Sequence, residues 1–147
     1  MSRLLALVVL ALGAAACGGG GGDRLTRAEL ATEANAICQE FDQKIEALGA
    51  PTSIDDIESF ADRSAEIARD GRDELADLNP PEELEADYDR LLETLDEAIE
   101  NIERIGEAAA DGDEAEVGRI AEEGEAKDED SDRLARELGL DDCAEDA

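Results

Sequence analysis

The sequence predicts an all-α fold, an up-and-down four-helix bundle carried behind an export leader and a glycine tether. Three observations predict it: apolar residues recur at spacings of three and four over four separate stretches, each stretch opens on a helix-start signal, and the connections are short. A chain of 147 residues allows one domain with one modest core. The boundaries fall at residues 1–16 for the leader, 17–25 for a lipidated cysteine and tether, and 26–147 for an acidic helical domain.

Met1, Ser2 and Arg3 make a short positive start, residues 4–12 an uninterrupted apolar run, and residues 13–16 a small-residue stretch ending at Cys17. This is the layout of a secretory signal, too short to span a bilayer stably. Ala14-Ala15-Ala16-Cys17 reads as a lipobox, in which the cysteine thiol receives a diacylglyceryl group before the leader is cut; the commonest form has leucine where this chain has Ala14. An ordinary secreted protein with an incidental cysteine is the alternative. Two acyl chains anchor stably where one is marginal, so Cys17 makes the membrane a partner and the outer face of the cell membrane the expected address. Residues 18–22 are all glycine and form a tether of about 12 Å by random-coil statistics.

Thr26-Arg27-Ala28-Glu29 is a capping box, flanked by Leu25 and Leu30 in staple positions. Leu30, Ala34, Ile37, Phe41, Ile45 and Leu48 then share one helical face until Gly49 and Pro51 end it. Ser53 with Asp55 and Asp56 starts a second helix, whose inner face holds Ile57, Phe60, Ala61, Ser64, Ile67, Ala68, Leu75 and Leu78 and which stops before Pro80 and Pro81. The third fits Pro81 as its first residue, with Glu82 and Glu83 complementing the positive end of the helix dipole. Its stripe, Leu84, Tyr88, Leu91, Leu95, Ala98, Ile102, Ile105 and Ala109, alternates four and three like a heptad seam.

Asp111-Gly112-Asp113 breaks that helix, and Asp113 with Glu116 starts a fourth carrying Val117, Ile120, Ala121, Gly124, Leu134 and Leu138. It ends at Gly139, with Leu140 placed for a Schellman contact. Between Glu122 and Arg133 only Gly124 and Ala126 are small and apolar, so fraying is expected there. A three-helix core with a loosely docked fourth helix is the structural alternative.

Forty-two acids against 13 basic residues give a net charge of −29. Nucleic acid is thereby disfavoured as a partner, since phosphate binding needs clustered positive charge, and a bare anionic headgroup surface repels the domain. Self-repulsion weakens the compact state at low salt and is screened over about 10 Å at ~0.1 M ionic strength.

With Cys17 lipidated, Cys38 and Cys143 remain, an even pair in a compartment that permits disulfides. A bridge is the natural reading and requires the tail to fold back along the first helix. Two free thiols, or a zinc pair lacking histidine, are the alternatives.

The chain has no histidine, which removes Ser-His-Asp and Cys-His mechanisms and the Glu-x-x-His pairs of carboxylate-bridged iron bundles. Ser59 and Ser64 lie in helical patterns without a nucleophile elbow, and no phosphate-cradling loop occurs. Paired carboxylates are inevitable among 42 acids. The expectation is a non-enzyme without cofactor. Asp111-Gly112-Asp113 resembles the opening of an EF-hand with Glu122 at its twelfth position, but Ala115 and Glu116 occupy its third-ligand and glycine positions. Asp128-Glu129-Asp130-Ser131-Asp132 is a second acidic cluster, with Gly139 in place of the bidentate glutamate. Both read as solvated segments, with diffuse, weak divalent-cation binding as the alternative function.

The lipobox with its glycine run, Asn35-Ala36-Ile37-Cys38, Asn79-Pro80-Pro81, and Leu138-Gly139-Leu140 before Cys143 resemble a group of uncharacterised small actinobacterial lipoproteins. The resemblance spans nearly the whole mature chain. It implies a helical, secreted, membrane-anchored protein with the same two outer cysteines, and it transfers no catalytic residue, since the group has no assigned activity. This chain departs from it chiefly in its acidity.

The sequence thus points to a non-enzymatic envelope lipoprotein that binds an envelope protein partner or serves a structural role. A groove where the thin middle of the fourth helix leaves the other seams uncovered is one expectation; close packing of small residues there is the other.

Overall fold

A computed structural model describes residues 24–144, apart from the side chains of Ala126 and Asp128. The leader, Cys17 and the glycine tether lie outside the described residues. Within them the chain is all-helical, with four long helices: α1 (Arg27–Leu48), α2 (Ile54–Ala76), α3 (Glu85–Ala110) and α4 (Glu114–Leu138).

Each start signal acts as its local chemistry requires. Thr26 Oγ1 accepts from the Glu29 N–H while the Glu29 carboxylate accepts from the Thr26 N–H at 2.9 Å, a reciprocal capping box. Ser53 caps α2 by accepting from the Asp56 N–H, and Asp113 caps α4 by accepting from the Glu116 N–H. α4 ends in a Schellman motif. Gly139 adopts φ +83°, its N–H donates to Arg136 O, and the Leu140 N–H reaches back to Ala135 O at 2.9 Å. Leu140 is thereby driven into the core and fully buried.

The third helix starts differently from expectation. Pro81 precedes a single 3₁₀ turn, Glu82–Leu84, and regular α-helix begins only at Glu85. The tighter turn drops Leu84 into the core, where it is buried beside Tyr88.

The main core gathers Leu30 and Ala34 of α1, Leu75 of α2, Leu84, Tyr88 and Leu91 of the third segment, and Leu134, Ala135, Leu138 and Leu140 at the far end of the chain. Tyr88 is fully enclosed, and its hydroxyl donates to Leu75 O at 2.8 Å, so the polar tip is satisfied. Burial pushes its pKa well above the ordinary phenol value.

α2 and α3 approach closely where Ala61 meets Gly106, and the small residues Ala65 of α2 and Ala109 of α3 are buried as well. Ala65 and Gly106 were not on the inner faces read from sequence. α4 is continuous through the stretch where fraying was expected. There it is held to α3 by polar contacts in place of apolar ones. Asn101 Nδ2 donates to Ile120 O, the Thr94 and Ser131 hydroxyls meet at 3.2 Å, and Lys127 pairs with Glu97 at 2.9 Å. Ala121, read as core, is exposed, because Ile120 alone turns inward at that level.

Candidate functional site

α1 buries its first half and not its second. Leu30 and Ala34 are completely covered, whereas Ile37, Phe41, Ile45 and Leu48 are only half-buried. The facing layer explains this. Ala68 and Gly71 on α2 and Ala98 on α3 carry too little volume to fill the space, and the Phe41 ring sits over Gly71, where an added Cβ would meet its Cδ2 at 3.7 Å. A cavity of about 520 Å³ results, floored by Leu91, Leu95, Ala98, Ile99 and Ile102 of α3 and walled by Ile37 and Phe41 of α1 and Leu75 of α2. Its size falls within the range of about 300–1,000 Å³ usual for small-molecule sites.

The fourth wall is the end of the chain. A 3₁₀ turn, Asp141–Cys143, lies against α1. Cys38 and Cys143 are joined there with their Cα atoms 5.1 Å apart, which realises the back-folded tail inferred from the two cysteines. Hydrogen bonds reinforce the join. The Asp142 N–H donates to Asn35 Oδ1 at 3.1 Å, Gln39 Nε2 donates to Asp142 Oδ2 at 3.0 Å, and Asn35 Nδ2 donates to Gly139 O. Asn35, Cys38 and Gln39 lie at helical spacing on one face of α1, so the tail is fastened along a single strip.

The charged groups around the cavity are unequal. Arg72 lines it but is already paired with Asp96: Nη2 donates to Oδ2 at 2.8 Å, and Nε stands 2.8 Å from Oδ1 without the geometry of a hydrogen bond. That carboxylate raises the guanidinium pKa further. Asp42, Asp141 and Asp142, all exposed, give the rim its acidic character.

Asp113 is occupied as the α4 cap, and Asp130 pairs with Arg133 at 2.6 Å. Among the described residues no group of three or more acids and cysteines is placed to hold a metal ion. Ser59 Oγ accepts from Arg63, and the buried Ser64 Oγ has no hydrogen-bond partner among the described residues. Cys17 lies outside them. No helix of the described residues is long and apolar enough to cross a membrane.

The groove is displaced from the place the sequence suggested. It opens between α1, α2 and α3, while the middle of α4 rests on the opposite flank of α3 with close approach at Gly124, where an added Cβ would lie 2.6 Å from Asn101 Nδ2. The signal that points to it in the sequence is the run of small residues at inward positions, Ala68, Gly71 and Ala98. Comparison of the chain with family models, curated proteins and solved structures finds no match to any of them.

Proposed function

We propose that the protein is a non-enzymatic cell-envelope lipoprotein, held at the outer face of the membrane through Cys17, whose helical domain binds an apolar ligand or partner segment in the groove between α1, α2 and α3. The observation that carries this reading is the 520 Å³ cavity with a largely aliphatic lining, closed at one end by the disulfide-linked tail. The leader pattern before Cys17 and the resemblance of its motifs to those of small actinobacterial lipoproteins support the address.

The helices form an up-and-down bundle in this reading. The Leu25 N–H bonded to Asn79 O supports it, because it sets the start of α1 beside the α2–α3 turn, and so does the packing of Leu138 and Leu140 with Leu30.

Two measurements test the proposal. Cells expressing the unaltered chain and Cys17→Ser are fractionated; the first is expected in the membrane at the mass of the cleaved, acylated chain, the second without acyl mass and with its leader uncut. A membrane-bound variant of unchanged mass contradicts the anchor. A polarity-sensitive apolar dye is then titrated into the full-length Cys17→Ser chain, where saturable binding abolished by Ala98→Phe is expected. Binding indifferent to that substitution removes the groove from the proposal.

A further inference from the structure

We propose that the groove is selective for a cationic amphiphile, with an aliphatic body lying on Leu95, Ala98 and Ile102 and a positively charged head at the Asp141–Asp142 turn. This rests on the groove being a binding site and adds the chemical class of its occupant. The polarity of the rim decides that class. Among the described residues Arg72 is the one basic residue lining the cavity, and the Asp96 carboxylate that accepts from its Nη2 neutralises its charge, so a ligand carboxylate finds no unpaired cation there. Of the acids on the rim, Asp142 is prepositioned. Asp142 is fixed through its own N–H on Asn35, through Gln39 on one carboxylate oxygen and through the neighbouring Cys143 on Cys38. A head placed there keeps most of its water, since Asp141 and Asp142 are exposed. The selectivity is therefore modest, about tenfold at ~0.1 M salt, from two exposed charge pairs and the field of the whole domain.

Charge also disfavours the other occupants. A second copy would bring two chains of net charge −29 face to face, and an acidic peptide meets the same repulsion. The lipid on Cys17 is separated experimentally by using a chain that lacks it.

The test is a methyl-detected NMR titration of the full-length Cys17→Ser chain with decyltrimethylammonium, 1-decanol and decanoate, each below its micelle concentration and at equal ionic strength. The cation is expected to bind about tenfold more tightly than the alcohol and the carboxylate more weakly than either, with shifts at Ile37, Leu95 and Ile102. Asp141→Asn with Asp142→Asn is expected to lower the cation's affinity to that of the alcohol and leave the alcohol unchanged. Ala98→Phe, or Ala68→Leu if the first fails to fold, is expected to abolish all three. Equal affinity for the three probes overturns the cation selectivity and leaves the groove as an apolar site. Cation binding that leaves the groove methyls unmoved and ignores the filling substitutions is counterion condensation on the acidic surface and overturns the proposal. No shift with any probe overturns the groove reading itself.

Discussion

Gly106 of α3 faces Ala61 of α2 so closely that a Cβ on the glycine would lie 3.1 Å from the alanine's Cβ, with Glu58 O at 3.9 Å. Both neighbours belong to a long regular helix, so neither yields without moving backbone. Gly106→Ala gains about 1 kcal/mol of helix propensity and loses about 1–3 kcal/mol to overpacking, so a net loss of stability is expected. Urea unfolding measures it. Ala61→Gly in the same chain should recover most of the loss relative to Ala61→Gly alone, and additive losses would show that the two residues do not meet.

The Cys38–Cys143 link closes a loop of 105 residues. Cross-linking a loop of that length is worth up to about 4.7 kcal/mol by chain entropy, and native links typically give about 2–4 kcal/mol. Cys143→Ser should lower stability by that amount, and reductant should destabilise the unaltered chain equally while leaving the variant untouched. Non-reducing peptide mapping should recover one linked pair. Complete alkylation of both thiols in oxidised native protein contradicts the link.

Acid should erode two helix caps in a defined window. Hydrogen bonds from the Thr26 backbone and then its side chain hold the Glu29 carboxyl below its ordinary 4.5, and bonds from the Thr52 and Ser53 side chains and the Thr52 backbone hold Asp56 below 3.8. Both folded-state values are depressed, so the stability they contribute is complete above the ordinary values and disappears as pH falls through the lowered ones. The gap in urea midpoint between the unaltered chain and Glu29→Gln with Asp56→Asn is expected to be constant above about pH 5 and to shrink below about pH 4. A gap that persists at pH 2 sinks this assignment.

Salt should stabilise the chain by screening its net charge of −29, so sodium and calcium chlorides should raise the melting temperature along one curve at equal ionic strength. A calcium-specific gain at sub-millimolar concentration, removed by Asp111→Asn with Asp113→Asn, would instead establish a folded-state cation site.

Helix starts and stops were legible because their chemistry is local. Thr26 with Glu29, Ser53 with Asp56, Asp113 with Glu116 and the Gly139–Leu140 ending each act within about one turn. Burial was less legible, because it depends on which neighbour a face meets. The heptad seam named Leu95, Ala98 and Ile102, which line the groove half-covered, and passed over Ile99 and Gly106, which are buried. The missing apolar residues of α4 suggested fraying, yet Asn101, Thr94 and Glu97 supply polar partners on α3 that no periodicity reveals. The groove followed neither pattern. It arises from volumes absent at Ala68, Gly71 and Ala98, seen only when three helices are set side by side.

The clasp at the start of α1 decides how the domain bears mechanical load. Arg24 donates to Pro80 O and pairs with Glu85, and the Leu25 N–H donates to Asn79 O, so a pull from upstream arrives first at the α2–α3 turn. If the clasp fails, unravelling proceeds along α1 only as far as Cys38, where the sulfur link passes the tension to Cys143. Tension applied between Arg24 and the Asp141–Asp142 turn therefore bypasses residues 39–140. What lengthens is the first part of α1, from about 1.5 Å per residue in the helix to about 3.3 Å extended, while the α2 and α3 surfaces that line the groove stay outside the force path.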